Sequence, residues 1–551
     1  MSRQGAYSLA DGKTKTSVAI RMAETMKAYG VRFVFGIPGN DVLELIRACE
    51  AQDIRFILAK SEPSAGFMAD AVAQLTGNPS ACIFALGPGV VNGATGIAGA
   101  LMERTPVIIL GGEMAADRRG IYTHQVFNHA ALMAPIAKMA AELNPDRASQ
   151  QMAKALDVAL TEPMGPVYLN CPADVTRAEA TELKSYAPLP KQLGVASEVA
   201  ISEAHSGFAK AKKPLALIGL GALRPGVPEQ VKEFLESWQL PFLTTFKAKG
   251  VVSERHALSL GALGLSPIVD ELTLDLVEQA DHLTLIGFDP IELRDAWINA
   301  WGEDTPCITL DWSAQTNRMF PPGTQIIGDL PDNLNSLAQD ASPSPSWPGK
   351  TLDDYRTGAA AIVAPRKPEK GISPAALFAN ISEHLDDDTI CTADVGAHRI
   401  LACHALQCTS PNQVLQSNGL CSMGYAIPAA VAASLVQPEK RLVALLGDGS
   451  ALMSLGELAV VAEHDLPITV VVLNDDALTL IELKQSKMQV ETGAVRFKSP
   501  NFMDVAKGFG IEAVRATSND EFREAYKKSR AAKGPMLIEA VCDPSEYWEQ
   551  M

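Results

Sequence analysis

Leu442-Val443-Ala444-Leu445-Leu446-Gly447-Asp448-Gly449-Ser450 is the stretch that decides the fold. Its first five residues form a continuous apolar run, the pattern of a strand buried on both faces of a parallel sheet. Leu452 to Glu463 has helical spacing, and His464-Asp465-Leu466-Pro467 breaks it. Ile468 to Leu473 then reads as a second buried strand, ending on Asn474-Asp475. The predicted order is strand, glycine turn, one helix, strand, with carboxylates at both strand ends. In an open parallel sheet, that edge is where ligands bind. The two glycines let a phosphate approach the backbone, and a helix N-terminus favours its charge. Asp448 and Asp475 would repel a phosphate unless a hard cation sat between them, and magnesium or calcium with oxygen ligands meets that need. The stretch therefore reads as a metal-bridged diphosphate site.

Working outward, strand-like and helix-like segments alternate almost from end to end, which indicates α/β architecture. Two Pro- and Ser-containing stretches, Ser185 to Lys191 and Ala341 to Gly349, read as linkers. They predict three doubly wound parallel-sheet domains: residues 1–185, 195–340 and 365–551. The first and third share a pattern. Helical Ala69 to Gly77 precedes Ala81 to Leu86 and then Gly87-Pro88-Gly89, as helical Ala426 to Leu435 precedes Leu442 to Leu446 and then Gly447-Asp448-Gly449. The parallel order suggests two related halves.

The chain has 551 residues, 47% of them hydrophobic, enough for several large cores. Its net charge of −17 argues against a nucleic-acid or anionic-membrane partner. The nine cysteines show no Cys-x-x-Cys pair or zinc spacing, so they read as reduced thiols. Met1 to Lys13 lacks an apolar core, and no apolar run is long enough to span a bilayer. These features lead us to expect a soluble cytoplasmic enzyme.

The chain resembles the thiamine-diphosphate-dependent 2-oxo acid decarboxylases and carboligases. The signature is the Gly447-Asp448-Gly449 turn with Asn474-Asp475 one helix and strand later, Asp475 following Asp448 by 27 positions (475 − 448). The resemblance implies that Asp448, Asp475 and the Ala477 carbonyl ligate Mg2+. It further implies that Gly447, Gly449, Ser450, Leu478 and Leu480 hold the cofactor. Phe35-Gly36-Ile37-Pro38-Gly39-Asn40 resembles the first-strand motif, and Ser61-Glu62-Pro63 falls where the family carries its catalytic glutamate. Asn418 to Gly424 resembles the loop that bends the cofactor, with the Cys421 carbonyl accepting from its amino group and Met423 wedged between its rings. Asp394-Val395-Gly396-Ala397-His398 resembles a second diphosphate-side turn. The three domains then become pyrimidine-binding, central and diphosphate-binding.

Within that family, the chain looks most like the catabolic acetolactate synthases, through Thr123-His124-Gln125, Gly287 to Glu292 and Leu480 to Gln485. The implied reaction is decarboxylation of a 2-oxo acid followed by ligation to a second carbonyl. Glu62 would share a proton with the cofactor from an apolar pocket that raises its pKa. His124 and Gln125 would orient the substrate, in a pocket completed by Asn40, Leu480 and Ile481. Departures bear on the substrate: Ser61 stands where a histidine is usual, the paired histidines of the pyruvate decarboxylases are reduced to His124, and Ile481 replaces a second acidic residue. A non-ligating decarboxylase is one alternative, and a non-catalytic nucleotide- or flavin-binding protein is another. Gly219-Leu220-Gly221 lacks the third glycine of a dinucleotide fingerprint, and the Asp289-Pro290-Ile291-Glu292 fragment points to a flavin-free type, so we expect no FAD. The resemblance also implies a homodimer or homotetramer whose active sites lie between subunits.

Overall fold

The computed structural model describes residues 16–181, 185–189, 193–343, 347–490 and 493–551. The leader reading of Met1 to Lys13 lies outside them, as do parts of both linker stretches. The chain divides into two compact units, Met1–Pro190 and Lys191–Met551. The second holds both the central and the C-terminal sheets.

Each of the three sheets has six strands, all paired in parallel. In the first, the spatial order is Arg55–Leu58, Phe33–Ile37, Ser80–Phe84, Val107–Glu113, Val167–Pro172, Met139–Glu142. In the third, it is Val414–Gln416, Thr389–Ala393, Arg441–Gly447, Ile468–Asn474, Met536–Val541, Glu512–Ala516. Numbered by chain position within each sheet, both read 2-1-3-4-6-5, so the two predicted halves share one topology. The central sheet runs 6-5-4-1-2-3, from Thr324–Ile327 through Cys307–Asp311, His282–Ile286, Pro214–Ile218 and Phe242–Thr245 to Ser259–Leu263. Strand order reverses between the first and third strands of the outer sheets and between the first and fourth of the central one. Ligand crevices open at such switch points, beyond the carboxyl ends of the strands.

The cores follow from sequence. Val443, Leu445, Val471 and Ile538 are buried in successive strands of the third sheet, packed under the helices Pro374–Glu383 and Asn519–Ala531 through Phe378, Ile381, Phe522 and Tyr526. Helix starts carry the expected caps: Ser61 Oγ accepts from Ser64 N at 3.4 Å, with Pro63 in the first turn of Glu62–Thr76. That helix crosses its neighbour Pro88–Met102 at two glycines. A Cβ on Gly66 would lie 2.6 Å from Gly96 Cα, and one on Gly96 would lie 2.7 Å from Gly66 Cα.

Two differences from expectation have local causes. Leu452 to Glu463 is not one helix: Asp448–Ser454 gives way to a 3-10 turn, Leu455–Glu457, before Leu458–Glu463. The helix Gly349–Ile362, starting at the end of a predicted linker, packs on the central sheet's core through Leu352 and Tyr355, and Tyr355 Oη pairs with Thr273 Oγ1 at 2.9 Å. Among the described residues no helix is long and apolar enough to cross a membrane.

Candidate active site

In the third sheet, three strand ends meet at the switch point. Thr389–Ala393 runs into Asp394-Val395-Gly396, Arg441–Gly447 into Asp448, and Ile468–Asn474 into Asp475. They wall a cleft, partly open to solvent, that also takes in Ala397, His398, Met423, Gly449, Ser450, Ala477, Leu478, Leu480 and Ile481. Eleven expected cofactor residues therefore line one cavity: Ala397, His398, Met423, Gly447, Asp448, Gly449, Ser450, Asp475, Ala477, Leu478 and Leu480. Gly449 is where the cradle closes, since a Cβ there would stand 2.7 Å from Leu478 Cδ2 and 3.5 Å from Met423 Cε. Cys421 is not among the cleft's lining residues. It adopts φ +54°, and its Sγ sits 3.4 Å from both Arg294 Nη2 and Arg399 Nη2.

Buried polar groups brace the cleft. Asp394 accepts from the amides of Val395, Gly424 and Ala426 at 2.8, 3.0 and 3.1 Å, tying its strand end to the loop that carries Met423. Asp448 Oδ1 accepts from Gly449 N and its Oδ2 from Ser499 Oγ, both at 2.8 Å. Thr479 Oγ1 donates to Asp475 Oδ2 at 2.6 Å. Asn474, by contrast, donates to Glu539 Oε1 at 2.9 Å and is not a lining residue, which leaves Asp475 as the carboxamide's neighbour that faces the cleft.

The donor set fits a hard cation. Burial pushes the Asp475 carboxyl up to about 7, the Thr479 hydroxyl offsets part of this, and the charge of Asp448 adds to it. Burial likewise raises Asp448, against hydrogen bonds from Ser499, Gly449 and Asp476. Neither carboxylate has a basic partner within ion-pair distance among the described residues. Two buried carboxylates at one cleft without a cationic side chain are a costly arrangement that a divalent ion relieves. His398 fits an anionic ligand less directly. Burial holds its ring neutral, with a pKa pushed down to about 3, and its buried Nε2 has no protein partner.

The first sheet opens a cleft at its own switch point, lined by Gly39, Asn40, Asp41, Leu86, Glu113 and Gln125 among others. Asn40 and Gln125 are thus brought together, while Leu480 and Ile481 wall the cleft of the other unit. His124 is exposed and not among the lining residues, with its ring 6.2 Å from that of Tyr122. Glu62 begins its helix half-buried, and its Oε2 accepts from Asn92 Nδ2 at 3.4 Å. A Cβ on Gly89 would lie 3.5 Å from Glu62 Oε1, and one on Gly87 would lie 2.8 Å from Gln125 Cβ.

At the central switch point, the protein fills its own crevice. Gly221 N donates to Gly287 O at 2.9 Å. Glu292, fully buried, accepts from Leu220 N at 2.9 Å and from Thr245 Oγ1 at 2.5 Å. Trp312 Nε1 donates to Gly221 O at 2.9 Å. Burial pushes the Glu292 carboxyl up to about 8 despite those two donors.

Several residues had no sequence signal. Ser499 reaches Asp448 from far along the chain, Tyr547 lines the cleft from the C-terminal helix, and Asp41 accepts from Leu86 N at 2.8 Å. Glu113 and His129, buried beside the Gly87 turn, were likewise invisible to spacing.

Three parallel six-stranded sheets, the outer two with one strand order, define an α/β protein. Comparison with known families gives the same division: residues 16–132 match the thiamine pyrophosphate enzyme N-terminal TPP binding domain, 201–337 the central domain, and 394–540 the C-terminal TPP binding domain. The chain belongs to the thiamine pyrophosphate (thiamine diphosphate) enzyme family, among its acetolactate synthase-like members. It is 31% identical to an acetolactate synthase of Bacillus subtilis, over 94% of this chain and 91% of that one. It is 29% identical to the acetolactate synthase isozyme 1 large subunit of Escherichia coli, over 95% and 93%. It is 27% identical to a probable acetolactate synthase large subunit of Methanocaldococcus jannaschii, over 95% and 91%.

Proposed function

We propose that this enzyme decarboxylates a 2-oxo acid and joins the remaining fragment to a second carbonyl compound, as an acetolactate synthase does. The observation that carries the reading is the switch-point cleft of the third sheet, where Asp448, Asp475, Met423, Leu480 and Ile481 share one cavity. Thiamine diphosphate, when bound, supplies the electron sink for loss of carbon dioxide.

The chain's own residues supply the rest. Asp448, Asp475 and the Ala477 carbonyl would hold Mg2+, which would offset the charge of a diphosphate at this turn. Gly449, Ser450, Leu478, Leu480, Ala397 and His398 would line the diphosphate side. Met423 would pack against the bound cofactor, and the Cys421 carbonyl, on the same loop, would accept from its amino group. Glu62 holds a proton at its carboxylate for exchange with the pyrimidine ring. Gln125 would orient the substrate by hydrogen bonding, while His124 lies outside the cleft that Gln125 lines.

Ligation is favoured over simple protonation by the apolar wall. Leu478, Leu480 and Ile481 offer no acid, and Glu482 is engaged by Arg496 Nε at 2.8 Å. We further propose a homodimer or homotetramer in which Glu62 of one copy serves the cleft of another. Exposed apolar side chains support this, with Ile121 at 82% and Met453 at 64% exposure. The test is product analysis with pyruvate, thiamine diphosphate and Mg2+. Acetolactate is expected, and acetaldehyde as the sole product would replace this reading with that of a plain decarboxylase.

A further inference from the structure

The Gly87-Pro88-Gly89 turn lies between the two side chains assigned above to proton exchange and substrate orientation. On one side it abuts Gln125, and on the other Glu62. Gly87 adopts φ +75° and ψ −108°, a conformation closed to residues with a Cβ. A backbone in such a region persists only when its surroundings over-determine it. Here two side chains do so. Asp41 Oδ2 takes the N–H of Leu86 at 2.8 Å, and His129 Nε2 takes that of Gly87 at 3.1 Å.

Because Nε2 accepts, the neutral ring carries its proton on Nδ1, which donates to Glu113 Oε2 at 2.9 Å. Glu113 is in turn fixed by Met114 N at 2.8 Å and Asn170 Nδ2 at 3.2 Å, and Tyr168 Oη anchors Asn170 at 2.6 Å. The Phe127 ring stands edge-on to His129 at 4.2 Å. His129 is fully buried and Glu113 nearly so, so this chain of bonds operates away from solvent. A histidine that only filled the core would not need to accept from the turn's own amide through a tautomer set by a buried carboxylate.

We propose that Glu113 and His129 are positioning residues that lock the Gly87-Pro88-Gly89 turn and thereby set the placement of Gln125 and Glu62. The inference rests on the catalytic reading of those two residues. A displacement of about 1 Å at a reacting group costs on the order of 100-fold in rate, so the lock acts on kcat.

The test compares His129→Phe with His129→Gln in the full-length protein. Phenylalanine keeps the ring but removes the acceptor, whereas a glutamine Oε1 can take the same N–H. With thiamine diphosphate, Mg2+ and pyruvate, His129→Phe is expected to lose on the order of 100-fold in kcat with KM changed by less than about threefold. In the cofactor-free protein, hydrogen–deuterium exchange at the Gly87 amide is expected to quicken. His129→Gln restores both. Should His129→Phe fail to fold, Glu113→Gln, which keeps the shape and removes the charge, is expected to show the same kcat loss and faster exchange to a smaller degree.

Unchanged kcat with a deprotected Gly87 amide overturns the proposal, and so does a His129→Gln protein as impaired as His129→Phe. Glu62→Gln and Gln125→Ala are run alongside. If they lose turnover while His129→Phe does not, only the positioning role fails. If they keep full turnover, the catalytic reading beneath it fails too.

Discussion

Thr479 Oγ1 donates a 2.6 Å hydrogen bond to Asp475 Oδ2, from the first residue of the helix Thr479–Lys487. The bond holds one oxygen of a carboxylate that lines the same cleft as Asp448. Such a partner orients a ligating oxygen and holds it against reorganisation.

If Asp448 and Asp475 grip one ion, Asp448→Ala should weaken Mg2+ and thiamine diphosphate binding together, each by about 10- to 100-fold or more. Titration calorimetry of the variant checks this, as does chelator treatment of the unmodified protein. Cofactor affinity untouched by either would remove the metal bridge.

Metal binding should depend on pH through Asp475. Its carboxyl is raised to about 7 in the metal-free protein. Below that value a proton occupies the site and competes, so Mg2+ affinity should fall as pH drops through 7 and hold steady above it. Binding near pH 7 should release a fraction of a proton per site, measured by calorimetry in buffers of different ionisation enthalpy. The sign for stability is opposite: a raised acid weakens the metal-free fold as pH rises from its unfolded value toward 7.

Glu62→Gln removes a proton-holding group without changing shape. Turnover should drop by about 100- to 10,000-fold, while cofactor affinity stays near that of the parent. Stopped-flow kinetics with bound cofactor separates the two, and undiminished turnover would take Glu62 out of the mechanism.

Glu292 offers a test away from the cleft. Its pKa of about 8 means it is protonated at neutral pH when folded and ionised when unfolded. It therefore subtracts stability as pH climbs from about 4.5 to 8. Glu292→Gln should flatten that part of the melting-temperature profile, and an unaltered slope would show that Glu292 does not titrate there.

Much of this was legible in the sequence because parallel strands buried on both faces write themselves as unbroken apolar runs, as at Leu442 to Leu446. The glycine turn was legible for a similar reason: ligand approach and strand-to-helix reversal demand small residues at fixed offsets. The partners of those residues were not. Ser499 meets Asp448, and His129 meets Gly87, through tertiary folding that imposes no spacing. The break at Leu455–Glu457 escaped notice because a single 3-10 turn barely disturbs helical periodicity. The helix Gly349–Ile362 was hidden by the Pro- and Ser-rich stretch before it, whose Trp347 is buried and donates to Pro214 O at 2.7 Å.

The glycine crossing between Glu62–Thr76 and Pro88–Met102 reaches beyond packing. Gly66 follows Glu62 by about one helical turn, and Gly96 lies on the helix that carries Asn92, the partner of Glu62. The crossing works as a gauge with no slack: a methyl group at either position spreads the helices and shifts the carboxylate at the end of one of them. Variation at these two positions is thus expected to move the Glu62 carboxylate, and a library built at residues 66 and 96 would test whether that placement sets the rate.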